Sequence, residues 1–153
     1  MFDFSILDLS MEKYFTIAFY NLENLFDIFD DKYTRDDDFL PTSEKHWTPK
    51  RYKKKVRKLG YTISQIGTKT SSNLTVLIGL AEVENKLVVN DLIHSKFLKT
   101  ENYGVVHYDS PDERGIDVAL IYNKDFFKVK SSDTFSVILF HEDGEIDRTR
   151  DIL

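Results

Sequence analysis

The stretch LTVLIGL, residues 74–80, decides the fold class of this 153-residue chain. It is apolar at almost every position, which is typical of a strand buried on both faces. The stretch YFTIAFY at residues 14–20 has the same character and predicts a second buried strand, central in its sheet. Between the two, Thr48 and Pro49 begin a helical pattern that runs to about Gly67. Strand, helix and strand in this order predict parallel neighbours joined by a right-handed crossover, and hence an α/β fold.

The remaining segments predict a long loop, a second helix and further strands. Residues 21–47 are rich in Asp and have no sustained period, so we expect a loop. Residues 85–98 have a weaker helical pattern. Segments that favour strands follow at residues 103–108, 117–122, 126–140 and 145–153. The first two flank the turn-rich sequence DSPDERG and predict a hairpin.

Composition indicates one domain, which we place at residues 11–153 after a tail of residues 1–10. Hydrophobic residues make up 41% of the chain and aromatic residues 14%, enough for one core. The absence of Cys excludes disulfides and thiolate chemistry. The first ten residues contain two Asp and no Lys or Arg, unlike a signal peptide. With neither Cys nor a signal peptide, the cytoplasm is the expected compartment. No apolar run approaches the ~18 residues of a membrane span.

Polar clusters follow both buried strands at their carboxyl ends. Asn21 and Glu23 come after the first strand, and Glu82 and Glu84 come after the second. Because parallel strands end at the same edge of a sheet, we expect these groups to converge. Oxygen-only ligands of this kind suit Mg²⁺ or Mn²⁺. The alternative is that these residues only cap the strand ends and the following helices.

A further cluster lies between Tyr108 and Asp117. Tyr108 and Arg114 are residue types that bind phosphate through hydrogen bonds. Alternatively, Pro111 and Gly115 form a hairpin turn whose charges are merely solvated. Asp117 opens an apolar strand, where a carboxylate usually needs a partner.

The basic run at residues 50–58 places seven cations in nine positions on the first helix. Such a run either binds nucleic acid or forms the solvated face of an amphipathic helix. The net charge of −5 gives no overall attraction to nucleic acid, so local patches must decide. The four His residues have no metal-binding spacing, and we interpret His94 and His107 as packed or surface residues.

Three segments, taken in order, resemble the endonuclease/exonuclease/phosphatase superfamily. They are FYNLENLFD at residues 19–27, LIGLAEVEN at residues 77–85 and YDSPDERGIDVALIYN at residues 108–123. This superfamily includes pancreatic deoxyribonuclease, exonuclease III-type apurinic endonucleases, inositol polyphosphate 5-phosphatases and bacterial sphingomyelinases. The resemblance covers residues 15–153 and implies part of a four-layer α/β sandwich, with a mixed β-sheet and flanking helices. An uncovered inner sheet face would then allow self-association.

The resemblance also implies roles for individual residues. Asn21 matches the residue that contacts the scissile phosphate or its attacking water, Glu82 matches the metal ligand, and Tyr108 matches a residue that contacts phosphate. Ala81 stands where many members have Gln, which weakens hydrogen bonding to substrate more than metal binding. The motif residues expected to bind phosphate or support the metal ligand are Glu23, Glu84, Arg114 and Asp117.

By resemblance, then, the chain is a Mg²⁺-dependent phosphodiesterase or phosphatase, with Mn²⁺ as a second option, in which water attacks a phosphate ester in line. The superfamily's downstream motifs, Gly-Asp-x-Asn and Ser-Asp-His, do not occur in the sequence. We therefore expect only the N-terminal half of such a domain, with little activity of its own. The alternative is a non-catalytic domain that binds a phosphorylated ligand or nucleic acid. Nucleases, lipid phosphodiesterases and inositol phosphatases share these motifs, so the substrate is not identified.

Overall fold

The computed structural model describes residues 3–6, 15–69 and 75–153. The strands are β1 (Asp3–Ile6), β2 (Ile17–Leu25), β3 (Leu77–Val83), β4 (Tyr103–His107), β5 (Asp117–Asn123), β6 (Phe127–Ser131), β7 (Ile138–Phe140) and β8 (Ile146–Arg148). The helices are α1 (Pro49–Gln65) and α2 (Lys86–Ile93), and a short 3₁₀ turn covers Asp37–Phe39. The α/β class predicted from the sequence is confirmed. Residues 14 and 74, the predicted first residues of the two buried strands, lie outside the described residues.

The central sheet has four strands in the order β2, β3, β5, β4. Strand β2 is parallel to β3, as the strand-helix-strand pattern predicted, and the other two pairings are antiparallel. The sheet is therefore mixed. The predicted hairpin is β4 and β5, with Tyr103 opposite Asn123 and His107 opposite Ala119. In this arrangement the carboxyl ends of β2, β3 and β4 and the start of β5 all lie at one edge of the sheet.

Both helices pack on one face of the central sheet. Helix α1 begins as predicted, with the Thr48 hydroxyl accepting a hydrogen bond from the Arg51 N–H at 3.4 Å, and it ends two residues before Gly67. Helix α2 ends at Ile93, five residues earlier than the pattern suggested. The core between helices and sheet is built chiefly from Val56, Leu59, Ile63, Val88, Val89, Leu92, Ile78, Leu80, Ala119 and Ile121.

The prediction that the first strand is central and buried on both faces is wrong for the described structure. Strand β2 is at the edge of the central sheet, and Ile17 and Phe19 are 68% and 71% exposed. Side chains alternate along a strand, so Ala18 and Tyr20 face the helices while Ile17 and Phe19 face away. We call the side that carries Ile17, Phe19 and Leu120 the open face. An apolar run indicates that both faces of a strand favour burial, but it does not show that another element packs on the second face.

Two small sheets flank the central one. Strand β1, within the predicted tail, pairs with β6, and β7 pairs with β8. The strand predicted over residues 126–140 is therefore divided between two sheets. Strand β8 lies within the strand predicted at residues 145–153, and an isolated bridge joins Phe135 to Ile152. Neither described helix is both long enough and apolar enough to cross a membrane.

Candidate active site

Backbone irregularities interrupt β2 and β3 where the predicted polar clusters lie. Asn21 pairs with Ala81, after which the register shifts in both strands. Beyond that point Glu23, Asn24 and Glu82 have φ angles of 54°, 60° and 62°. Residues other than glycine, asparagine and aspartate rarely adopt this left-handed region, and for Glu23 and Glu82 it costs on the order of 1 kcal/mol each. Such strain is concentrated where a structure must hold a particular group in place.

The bulged segments bring Asn21 and Glu82 together. The Asn21 side-chain amide donates a hydrogen bond to Glu82 Oε1 at 3.0 Å, and the main-chain N–H of Asn24 donates to Glu82 Oε2 at 3.0 Å. Asn21 Oδ1 in turn accepts from the Glu23 N–H at 2.7 Å. The predicted convergence is confirmed for this pair. Glu23 takes part through its main chain.

Lys55 of helix α1 supports the bulge in β2. Its ammonium group donates to the carbonyl oxygens of Glu23 and Asn24, the second at 2.9 Å. Burial lowers the pKa of Lys55, and the carboxylates of Glu23 and Glu82 partly offset that effect. One cation of the basic run is thus structural, which the sequence did not reveal because all seven look alike there.

Glu84 does not join Asn21 and Glu82, so the predicted convergence is wrong for this residue. Its Oε2 accepts a hydrogen bond from the Asp27 N–H at 2.5 Å, within the acidic loop. Burial raises the pKa of Glu84 to about 8; the hydrogen bond from Asp27 acts in the opposite direction, and the charges of the nearby Asp27 and Asp36 raise the pKa further. Asn85 caps helix α2 by accepting from the Val88 N–H at 3.1 Å. The alternative, that polar residues after the strand cap the following helix, is therefore correct for Asn85.

Two arginines supply positive charge near Glu82. Arg150 Nη1 lies 3.9 Å from Glu82 Oε1. Arg114 donates from Nε and Nη2 to the two carboxylate oxygens of Asp112, at 3.2 and 3.1 Å. The pKa of Arg114 is raised mainly by that hydrogen bond and also by the charges of Asp112 and Glu82. The sequence indicated Arg114 but not Arg150, which reaches Glu82 from a part of the chain without a candidate motif.

Asp117 has the partners that its buried position requires. Its Oδ1 accepts from the Ser110 N–H at 2.9 Å and from the Ser110 hydroxyl, and its Oδ2 lies 3.0 Å from His107 Nε2. The side chains of His107 and Asp117 are 2% and 5% exposed. Exposed Asp109 approaches His107 Nδ1 at 3.8 Å. Along β5, Asp117 lies on the same face as Ala119 and Ile121, which pack against the helices. Along β2, Asn21 lies on the open face. Asp117 and Asn21 therefore lie on opposite faces of the sheet.

His107, Asp109 and Asp117 form a possible acidic metal site, since one ligand atom from each lies within 4.8 Å of the others. Sequence reasoning missed this group because two of its members come from different strands. The interpretation of His107 as a packed residue is consistent with its burial.

The hydrogen bonds of the Tyr108 side chain go to Ser132 rather than to the Asn21–Glu82 pair. Its hydroxyl donates to the Ser132 carbonyl oxygen at 3.0 Å and lies 2.6 Å from the Ser132 hydroxyl. Across the described residues, no hydrogen bond links Tyr108 to Asn21 or Glu82. Its role in contacting phosphate stays a prediction.

The donor set at Glu82 fits a hard divalent cation. An ionised carboxylate offers about four lone-pair directions, and the hydrogen bonds from Asn21 and Asn24 use only two of them. The side chain is 20% exposed, so an ion can reach it. Every ligand candidate here is an oxygen, which favours Mg²⁺ or Mn²⁺ over zinc.

Comparison with known proteins gives one match. A model of the endonuclease/exonuclease/phosphatase family matches residues 16–153, a range that contains Asn21, Glu82 and Asp117. No curated protein and no solved structure matches the chain. The match spans most of the chain and agrees with the mixed α/β sheet and its polar edge. The chain therefore belongs to the endonuclease/exonuclease/phosphatase family.

Proposed function

We propose that the protein is a phosphoric ester hydrolase that uses Mg²⁺, or Mn²⁺ in its place, bound at Glu82. The observation that carries this proposal is the 3.0 Å hydrogen bond between Asn21 and Glu82 at the carboxyl ends of two parallel strands. Open α/β sheets bind their ligands at this edge. Membership of the endonuclease/exonuclease/phosphatase family supports the reaction class.

Each side chain at this edge has a chemical task in the proposal. Glu82 would hold the ion, which when bound supplies positive charge for the phosphoryl oxygens. Asn21 gives one N–H to Glu82, and its second N–H is available for a phosphoryl oxygen. Arg150 carries five N–H donors on a planar fork that suits phosphate, 3.9 Å from the same carboxylate. Together these groups would hold and orient the phosphate.

The proposal includes slow turnover by this chain. Among the described residues, neither a His nor a second carboxylate forms a side-chain hydrogen bond to Asn21 or Glu82. A general base must lie within hydrogen-bonding reach of the water that it activates. We therefore propose that the chain supplies the metal-binding and phosphate-binding part of a hydrolytic site.

Calorimetric titration with Mg²⁺ and Mn²⁺ tests the site, with hydrolysis of bis-p-nitrophenyl phosphate measured in parallel. We expect Glu82→Gln to weaken metal binding about tenfold or more. Glu84→Gln is the matched control, because Glu84 is two residues away and faces the acidic loop; it should bind metal as the wild type does. Unchanged affinity in Glu82→Gln would refute the assignment. Weaker binding in Asp109→Asn would instead place the ion at His107, Asp109 and Asp117.

A second candidate function is binding of nucleic acid without catalysis. A groove of about 500 Å³ on the outer side of α1 is lined by three cations and two aromatic rings, namely Lys54, Arg57, Lys58, Tyr61 and Phe97. The rings of Tyr61 and Phe97 meet edge to face with their centroids 5.2 Å apart. Cations beside aromatic rings suit a single strand, whose bases stack while its phosphates pair.

Fluorescence anisotropy with a labelled single-stranded oligonucleotide distinguishes this function from hydrolysis. Tyr61→Ala should weaken binding about tenfold, in line with ~1–3 kcal/mol for each stacked base. Glu82→Gln should leave it unchanged in EDTA. If Tyr61→Ala binds as tightly as the wild type, the groove is not the binding surface.

A further inference from the structure

A cleft next to Glu82 is lined by arginines from three separate parts of the chain. The cleft has a volume of about 320 Å³, and its charged lining residues include Arg35, Asp112, Glu113, Arg114 and Arg148. Arg35 belongs to the acidic loop, Arg114 to the turn between β4 and β5, and Arg148 is the last residue of β8. Three guanidinium groups from separate parts of the chain therefore line the same cleft.

Main-chain contacts fix two walls of this cleft. The Arg35 N–H donates to the Glu113 carbonyl oxygen at 2.9 Å, while Arg35 Nη2 pairs with Glu113 Oε2 at 2.8 Å. Gly115 lies against Thr34 with a φ of +68°, where a side chain would collide with the threonine. The acidic loop is therefore docked on the β4–β5 turn, and Arg35 is held beside Arg114.

The acidic residues of the cleft are already neutralised. Asp112 is buried and binds Arg114 through both of its oxygens, and Glu113 pairs with Arg35. Arg148 has no carboxylate partner among the described side chains. Arg114 uses two of its five N–H groups on Asp112 and keeps three for another acceptor. The cleft thus has one surplus positive charge and several unused guanidinium donors.

The cleft adjoins the candidate active site. Thr149 lines it, and the next residue, Arg150, lies 3.9 Å from Glu82. The Cα atoms of Arg148 and Arg150 are at most about 7 Å apart, because an extended chain spans no more than ~3.6 Å per residue. A ligand with two neighbouring phosphates can therefore place one at Glu82 and the other in the cleft.

We propose that this cleft is a second anion subsite, in which Arg148, Arg114 and Arg35 bind a phosphate group next to the scissile one. This inference rests on the proposed function and narrows its substrate class to phosphate esters that carry a second, neighbouring phosphate. An oligonucleotide and a small polyphosphorylated molecule share this chemistry.

Pyrophosphate in EDTA is the probe for the subsite, with binding followed by NMR titration of the full chain. Arg148→Gln should weaken binding about tenfold, the factor expected when one charge-assisted hydrogen-bonding partner is lost. Arg148→Lys should recover part of it. Lys99→Gln, which removes the same charge from an exposed position in the segment after α2, is the control and should bind as the wild type does. Equal affinities for Arg148→Gln and the wild type would overturn the proposal, as would an equal loss in Lys99→Gln.

Hydrolysis of paired substrates then identifies the source of the second phosphate. One arm compares a thymidine dinucleotide with and without a 5′-phosphate, and the other compares inositol bisphosphate with inositol monophosphate. A preference for the second phosphate that disappears in Arg148→Gln supports the subsite and assigns it to that arm; hydrolysis without such a preference in either arm overturns it. If nothing is hydrolysed, the proposed function fails, and pyrophosphate binding still decides whether the subsite exists.

Discussion

Glu82 and Glu84 have identical side chains two residues apart, yet they have opposite surroundings. The bulge in β3 and the left-handed backbone of Glu82 aim its carboxylate at Asn21. Glu84 follows the end of β3 and is partly buried against the acidic loop. Composition and spacing identified both residues as candidates. The two side chains point to different places because of the bulge in β3, which cannot be predicted from the pattern of side chains.

Glu84 should make the protein less stable as the pH rises. Burial raises its pKa from 4.5 to about 8. Between these values the folded state keeps the proton that the unfolded state releases, so the stabilisation is complete below pH 4.5 and is lost as the pH approaches 8. Glu84→Gln keeps an oxygen for the Asp27 N–H and has no proton to lose.

Thermal unfolding of the wild type and Glu84→Gln from pH 5 to pH 9 tests this expectation. The melting temperature of the wild type should fall more steeply, and the variant should be several degrees more stable at the alkaline end. Parallel curves would show that Glu84 does not hold a proton in the folded state over this range.

Asp117→Ala should destabilise the fold by about 3 kcal/mol. The change leaves the Ser110 N–H, the Ser110 hydroxyl and buried His107 without their acceptor. Asp109→Ala is the control: Asp109 is 93% exposed, and its loss should cost less than about 0.5 kcal/mol. Urea unfolding measures both. Similar values for the two variants would contradict a structural role for the Asp117 carboxylate.

At the scale of elements, the sequence predicted best where local rules suffice. Helix α1 starts at Pro49 because Thr48 caps it, and both signals are visible in the sequence. The hairpin of β4 and β5 was predictable from its turn residues. The edge position of β2 was not, because strand order depends on contacts between distant segments. The cleft around Arg148 was also missed, since its walls come from three segments far apart in the chain.

Gly60 sets the approach of helix α1 to the segment after α2. A Cβ atom at this position would lie 3.3 Å from Ser95 Cβ and collide with the Ser95 hydroxyl. Overpacking costs about 1–3 kcal/mol, which outweighs the gain of ~1 kcal/mol in helix propensity from Gly to Ala. We therefore expect Gly60→Ala to destabilise the protein by about 1 kcal/mol.

A double-mutant cycle separates this clash from a general effect of the substitution. Ser95→Ala removes a buried hydroxyl that has no hydrogen-bonding partner, so alone it should cost little. Gly60→Ala combined with Ser95→Ala should be at least as stable as the wild type, because the colliding atom is gone while the propensity gain remains. Additive destabilisation in the cycle, measured by urea unfolding, would locate the cost elsewhere.

Across the whole molecule, apolar side chains on the open face and on the small β7–β8 sheet remain exposed. Ile17 and Phe19 belong to the first group, and Ile138, Phe140 and Ile146 belong to the second. No described strand pairs with the outer side of β2. The fold class could be predicted because both strands of the parallel pair, β2 and β3, carry local signals. The sequence could not predict a layer over the open face, because apolar residues show only that this face favours burial.

This exposed edge leads us to expect self-association that depends on concentration and salt. An unpaired, apolar edge strand is a template for a second copy, and the net charge of −5 opposes that contact least when salt screens it.

Sedimentation velocity should show a larger species at high protein concentration and in 0.5 M salt than in dilute, low-salt solution. Ile17→Lys should suppress it by placing a charge on the edge of β2. Tyr33→Lys is the matched control, because Tyr33 is 87% exposed in the acidic loop. A monomer at every concentration and salt level would contradict the expectation, whereas association abolished equally by both variants would assign the effect to charge rather than to the edge.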